Sequence, residues 1–94
     1  MYQYIAILLL SCALMSAQQK SGKTVFETKC AKCHGVSGTK GRFGAANLQL
    51  SRLQTADMIR IISKGKNWMP SWERNLEPGE IIEVAEYVKT LRTK

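Results

Sequence analysis

Cys30, Cys33 and His34 lie in the run Cys30-Ala-Lys-Cys33-His34, a C-x-x-C-H pattern. Two thiols three positions apart stand about one helical turn from each other, and an imidazole follows at once. Four chemistries use such a trio. A redox dithiol of the thioredoxin kind needs a strand–helix–strand setting, and no useful stretch of β-alternation occurs in the chain. A tetrahedral zinc site needs four ligands, but His34 is the sole histidine and Cys12 the only other cysteine. A disulfide across so short a loop removes little entropy from the unfolded chain and leaves His34 unused. The remaining chemistry is attachment of a c-type haem. Both thiols add to the vinyl groups on one porphyrin edge, and the imidazole projects under the iron.

The chain has 94 residues, enough for one small domain and too few for separate cofactor and substrate lobes. It carries 14 Lys and Arg against 7 Asp and Glu, a formal charge of +7, with no Lys, Arg, Asp or Glu before Lys20. Met1 to Ala17 is apolar around Ile5-Ala-Ile-Leu-Leu-Leu10 and small toward its end. We read residues 1–17 as a secretory signal and 18–94 as the domain. Two alternatives stay open: a lipoprotein signal ending at Leu9-Leu-Ser-Cys12, and an uncut N-terminal anchor. Each puts the domain outside the cytoplasm, in the periplasm or on the outer face of a membrane. Exported domains this small usually need a disulfide or metal staple, and a large apolar cofactor meets that need.

The elements that must position the trio are helical. Ser21 caps a first helix with Gly22, Val25 and Phe26 on one face. Gly35, Gly38, Gly41 and Gly44 then mark a flexible or tightly turned loop. Thr55 is positioned to cap a second helix, with Met58, Ile61 and Ile62 inside and Gly65 ending it. An irregular stretch, 66–75, holds both tryptophans and Pro70. A last helix opens at Glu77-Pro-Gly-Glu80 and turns Ile81, Val84, Ala85, Tyr87, Val88 and Leu91 inward. The expected fold is all-α: three to four short helices and long loops around one covalently attached haem.

The run Gly22-Lys-Thr-Val-Phe-Glu-Thr-Lys-Cys-Ala-Lys-Cys-His-Gly35 resembles the opening of small class I (monohaem, bacterial-type) c-type cytochromes. Gly65-Lys-Asn-Trp-Met-Pro-Ser-Trp72, Leu76-Glu-Pro-Gly-Glu80 and Tyr87-Val-Lys-Thr-Leu91 extend the resemblance over nearly everything after residue 21. It implies that the first and last helices cross near Gly22, Phe26 and Tyr87. It also implies a haem held between the loops, with His34 on one side of the iron and Met69 on the other. Met69 suits that role because Pro70 biases it toward extended backbone; Met58 has the spacing of a core residue. The family orients its histidine through a backbone carbonyl, often beside Pro. Here the matching stretch is Gly44-Ala-Ala-Asn-Leu48, with Ala46 in the Pro position. Phe43, Leu48, Leu53, Ile61, Ile62, Trp68 and Trp72 are haem-wall candidates, each equally suited to ordinary core packing. Arg42 and Trp72 are candidate propionate partners.

The implied function is one-electron transfer with His/Met ligation, between respiratory or other periplasmic redox enzymes. Such a carrier is no enzyme, since no substrate bond changes. Lys29, Lys32, Lys40, Arg42, Lys64 and Lys66 form either a steering patch for an acidic redox partner or a plain solvated surface. The bases are too scattered for nucleic acid. Membrane contact follows only if the leader is retained or Cys12 is lipidated. The chain is expected to be a monomer or a subunit of a redox complex. The competing class is a haem domain with an open or displaceable sixth site, a peroxidase-like enzyme or a gas sensor.

Overall fold

The computed structural model describes residues 20–93. The expected leader, 1–17 with Cys12, and its boundary with the domain lie outside the described residues. Among the described residues the chain is helical, with one isolated antiparallel bridge between Lys66 and Met69 and no sheet. The first helical stretch is continuous but changes pitch. It comprises α1 (Gly22–Val25), a π-turn (Phe26–Cys30) and α2 (Ala31–His34). A 3-10 turn at Arg42–Gly44 follows, then α3 (Thr55–Lys64) and α4 (Pro78–Thr90).

Local chemistry explains the ends. The Ser21 hydroxyl accepts from the Thr24 amide at 3.2 Å, satisfying one orphan donor of α1. Helix α4 starts with Pro78 inside a capping box: Glu80 Oε1 accepts from the Glu77 amide at 2.9 Å, and Glu77 caps the Glu80 amide in return. At α3 the sequence reading is off by one residue. Gln54, extended at φ −69° and ψ 153°, is the N-cap, and its carbonyl takes the first helical bond, from Met58. Thr55 is already helical, and its hydroxyl accepts from Lys89 Nζ of α4 at 3.0 Å, a tertiary contact in place of a cap.

The core lies where α1 and α4 cross. Val25, Phe26, Met58, Ile62, Leu76, Ile81, Val84, Ala85 and Val88 are buried. Phe26 packs on Tyr87 with ring centroids 5.4 Å apart. The crossing depends on Gly22, because a Cβ there would lie 2.1 Å from the Glu83 carbonyl oxygen. Ile61 is only half-buried, and Ile59 packs against the core as well. A ten-residue helix covered on one side leaves that choice to the tilt of its neighbour. Beyond Thr90, Arg92 donates to the Leu53 carbonyl and the Thr93 amide to the Gln49 carbonyl. These bonds fasten the end of α4 to the middle segment. No helix of the described residues is long and apolar enough to cross a membrane.

Candidate haem site

The π-turn carries the chain into the C-x-x-C-H run. The Ala31 amide reaches back five residues to the Phe26 carbonyl; Cys30 closes the π-turn, and Cys33 and His34 follow on α2. Both cysteines are free thiols and half-buried. Cys30 packs against the core. Burial, and then the neighbouring Cys33 thiol, pushes Cys30 up from 9.0 to about 11.

His34 is held from the loop. Its Nδ1 lies 3.1 Å from the Ala46 carbonyl oxygen. A carbonyl only accepts, so Nδ1 carries the proton and Nε2 keeps its lone pair for a metal. The loop is fixed in turn by the Lys40 amide on the His34 carbonyl, 2.8 Å, and the Leu48 amide on the Gly38 carbonyl, 2.8 Å.

Met69 sits on a separate loop hung from the end of α3. Gly65 ends that helix at φ 79° and ψ 170°, a region open in practice only to glycine. Its missing Cβ makes room for the returning chain: a Cβ would lie 2.6 Å from the Met69 carbonyl oxygen and 2.9 Å from Pro70. Lys66 and Met69 exchange both backbone bonds, at 3.1 and 2.9 Å, so Asn67 and Trp68 form the tip of a tight hairpin. The Trp72 amide then bonds the Ile62 carbonyl at 3.0 Å and the Ser71 hydroxyl the Ser63 carbonyl, which satisfies carbonyls at the end of α3.

Between the glycine loop and this hairpin lies an open cleft of about 630 Å³, lined by Phe43, Gly44, Asn67 and Trp68. Of the residues singled out as haem wall, Phe43 and Trp68 line it. Ile62 is buried in the core, while Leu48, Met69 and Trp72 are half-buried against it. Leu53 is exposed at 44% and accepts Arg92 through its carbonyl. Arg42 lies over the Phe43 ring, 5.1 Å from its centroid. The Trp72 contact in the structure is through its backbone. Lys64 is paired with Glu73 at 3.0 Å. Asn67 and Gly44 line the cleft without having been singled out as wall candidates from the sequence. The Asn67 signal was there, since Asn tolerates the left-handed region at a hairpin tip better than other side chains.

A planar apolar group suits these surroundings. Two unbridged thiols and an imidazole with one nitrogen preset share one helical stretch, and Met69 sits on the hairpin; the cleft itself is lined by Phe43, Gly44, Asn67 and Trp68 and has a volume within the usual range for bound cofactors.

Residues 17–88 match the family described as Cytochrome C oxidase, cbb3-type, subunit III. Cytochrome c6 of Nostoc sp. is 32% identical over 85 residues, covering 83% of this chain and 75% of that one. The chain belongs to the c-type cytochromes. This cytochrome is also similar to the cbb3-type cytochrome c oxidase subunit FixP of Bradyrhizobium diazoefficiens. Identity there is 39% over 76 residues, covering 74% of this chain and 26% of the subunit. It thus spans about a quarter of that relative's length and three quarters of the cytochrome c6. The KustC0563 c-type cytochrome has the same fold, with a TM-score of 0.72 at 20% identity over 79% of this chain and all of that one. The cofactor of this cytochrome is therefore a covalently bound haem c with its iron, and its family is one of electron-transfer proteins.

Proposed function

We propose that this cytochrome carries one electron at a time on a haem linked through thioethers to Cys30 and Cys33. His34 and Met69 are the axial ligands. The observation that carries the reading is the bond from His34 Nδ1–H to the Ala46 carbonyl, 3.1 Å. It fixes the tautomer and aims Nε2 away from the loop. Haem c supplies a ferric–ferrous couple that takes or gives one electron without breaking a substrate bond. The chain's own residues do the rest. Both Lys66 bonds hold Met69 in extended backbone before Pro70, a thioether ligand raises the potential, and the apolar core behind the motif limits rearrangement. Phe43, Leu48, Ile62 and Trp72 belong to the shell around the haem.

The domain works outside the cytoplasm, with residues 1–17 cut, retained as an anchor, or processed to a lipidated Cys12. Its partners are redox proteins, some with acidic docking surfaces. The match to FixP favours a second setting, in which the same domain is the electron-transfer subunit of a larger oxidase or dehydrogenase. Gel filtration of native extract separates the two, since a free carrier elutes as a small monomer.

The test of ligation is optical. The ferric holoprotein is expected to show a far-red sulfur-to-iron band that disappears in Met69→Ala, and the ferrous form to ignore carbon monoxide. A high-spin spectrum or ready carbon monoxide binding in the wild type would overturn Met69 ligation and favour a peroxidase-like or gas-sensing site.

A further inference from the structure

Residues 45–54 form neither helix nor strand, so this strap must be held by bonds to other segments. Its start matters to the site, because the Ala46 carbonyl oxygen lies 3.1 Å from His34 Nδ1. Its far end is held by the tail of α4 in a reciprocal pattern. Arg92 Nη2 donates to the carbonyl of Leu53 at 2.6 Å. Arg52, the residue before Leu53, donates through Nη2 to the carbonyl of Thr93, the residue after Arg92. The Gln49 carbonyl accepts from Arg52 Nη1 at 3.1 Å, from the Thr93 amide at 3.0 Å and from the Thr93 hydroxyl at 3.3 Å.

Both guanidinium groups are committed to this strap. Neither is in an ion pair among the described residues. Arg92 is half-buried, with Nη2 3.5 Å from the Met58 sulfur and Nε covered and without a partner among those residues. A guanidinium drawn that far out of water keeps the Leu53 carbonyl firmly, since losing it would leave a second donor of the same charged group unpaired. Between this latch and Ala46 the strap is seated on the turn after His34. The Leu48 amide bonds the Gly38 carbonyl at 2.8 Å, and Gln49 Nε2 the Ser37 carbonyl at 3.1 Å. A Cβ on Gly38 would lie 2.9 Å from Leu48 Cβ and 3.4 Å from Leu91 Cδ1. The end of α4, the strap and the glycine turn thus meet at one point.

We propose that Arg52 and Arg92 are positioning residues for the haem ligand His34. Their latch seats the strap on the turn after His34, and the seated strap presents the Ala46 carbonyl to Nδ1. The inference rests on the reading of His34 as an axial ligand and adds what sets its orientation. Both arginines act through backbone, so their effect is on how long the imidazole keeps its carbonyl partner.

The experiment is hydrogen exchange followed by NMR in the ferrous holoprotein. There the porphyrin ring current moves the carbon-bound ring protons of a bound histidine upfield, which identifies the Nδ1–H of His34. Exchange of that proton requires the strap to lift from the imidazole, whereas exchange of the Val88 amide requires α4 to open. Arg92→Met and Arg52→Met are each expected to speed exchange of the Nδ1–H and of the Leu48 amide about tenfold. Arg92→Lys, which keeps a charged donor for the Leu53 carbonyl, is expected to restore most of the protection. Val84→Ala, a core truncation away from the strap, is expected to speed the Val88 amide and leave the Nδ1–H at its wild-type rate. Should Arg92→Met fail to fold, Arg52→Met decides, because Arg52 is exposed. Wild-type Nδ1–H exchange in the latch variants overturns the inference. So does equal acceleration in Val84→Ala, which would make the latch a matter of overall stability. If the ferrous wild type shows no upfield histidine ring protons, ligation by His34 has failed instead, and that is seen before any variant is compared.

Discussion

Gly65→Ala tests whether the Met69 loop is held by close backbone approach or merely drapes over α3. Two costs add at this position. The first is conformational: φ 79° with ψ 170° lies in a region that side-chain-bearing residues enter at a cost of about 1–3 kcal/mol. The second is steric: the new Cβ would sit 2.6 Å from the Met69 carbonyl oxygen and 2.9 Å from both the Pro70 carbonyl carbon and the Ser71 nitrogen. Those are backbone atoms and cannot rotate away, so relief requires moving the loop, at an overpacking cost of about 1–3 kcal/mol. The control is Gly41→Ala. Gly41 is also left-handed, at φ 67° and ψ 20°, but a Cβ there meets only the Ala45 carbonyl oxygen at 3.7 Å, an ordinary contact. Its cost is the backbone term alone, about 1–2 kcal/mol. The expected gap is about 3 kcal/mol, which for a domain of this size separates the two thermal midpoints by roughly 12–24 °C. Circular dichroism melts of the two holoproteins supply the midpoints, and the far-red band followed in the same melts reports the Met69 loop. Equal midpoints would refute the reasoning. So would a Gly65→Ala protein whose far-red band survives to the wild-type temperature.

Ala46→Pro keeps the carbonyl that holds His34, and the preceding Ala45, at φ −59° and ψ 137°, is already in the conformation a following proline requires. The substitution is expected to stabilise by about 0.4–1 kcal/mol, read as a thermal midpoint higher by several degrees with an unchanged haem spectrum. Phe26→Ala removes a fully buried ring from the crossing with Tyr87 and is expected to cost about 3–5 kcal/mol in urea unfolding. In the haem-free chain, Cys30 titrates at about 11 rather than 9.0. At pH 8 its thiolate is then about a hundredfold scarcer in the folded chain than in the unfolded one. Alkylation of Cys30 by iodoacetamide should slow accordingly on folding. Because the folded value is the raised one, the associated stability is complete below pH 9 and is lost as pH rises through about 11.

The parts of the fold carried by side-chain type were open to sequence reading, and those carried by backbone geometry were not. Ser21 as a cap, Gly65 as a helix terminator, Pro78 at the first position of α4 and the apolar face Ile81, Val84, Ala85 and Val88 each follow from one residue's chemistry or from regular spacing. The π-turn does not. Its wider turn, in which the Ala31 amide reaches five residues back to Phe26, is marked by no residue type. The offset at Thr55 has a similar origin: two adjacent residues suit the start of α3, and Lys89, 34 positions away, engages the hydroxyl. At the site, Cys30, Cys33 and His34 were legible because their spacing is itself the chemistry. The cleft was not, since its edges depend on left-handed backbone at Phe43, a residue with no preference for it.

The α1–α4 crossing has a consequence for the segment it encloses. The loops that form the cleft, and the residues proposed to hold haem, run from Cys30 to Trp72, between two helices that clasp each other. Gly22 touches Glu83, and the rest of α4 beyond that point is about two turns, or roughly 10 Å. Both flanks of the segment from Cys30 to Trp72 are therefore held together at this contact, and the stretch after Thr90 is tied in turn to Leu53 and Gln49. A segment closed in this way behaves as one unit, because its two flanks cannot part without breaking the close approach of Gly22 to Glu83.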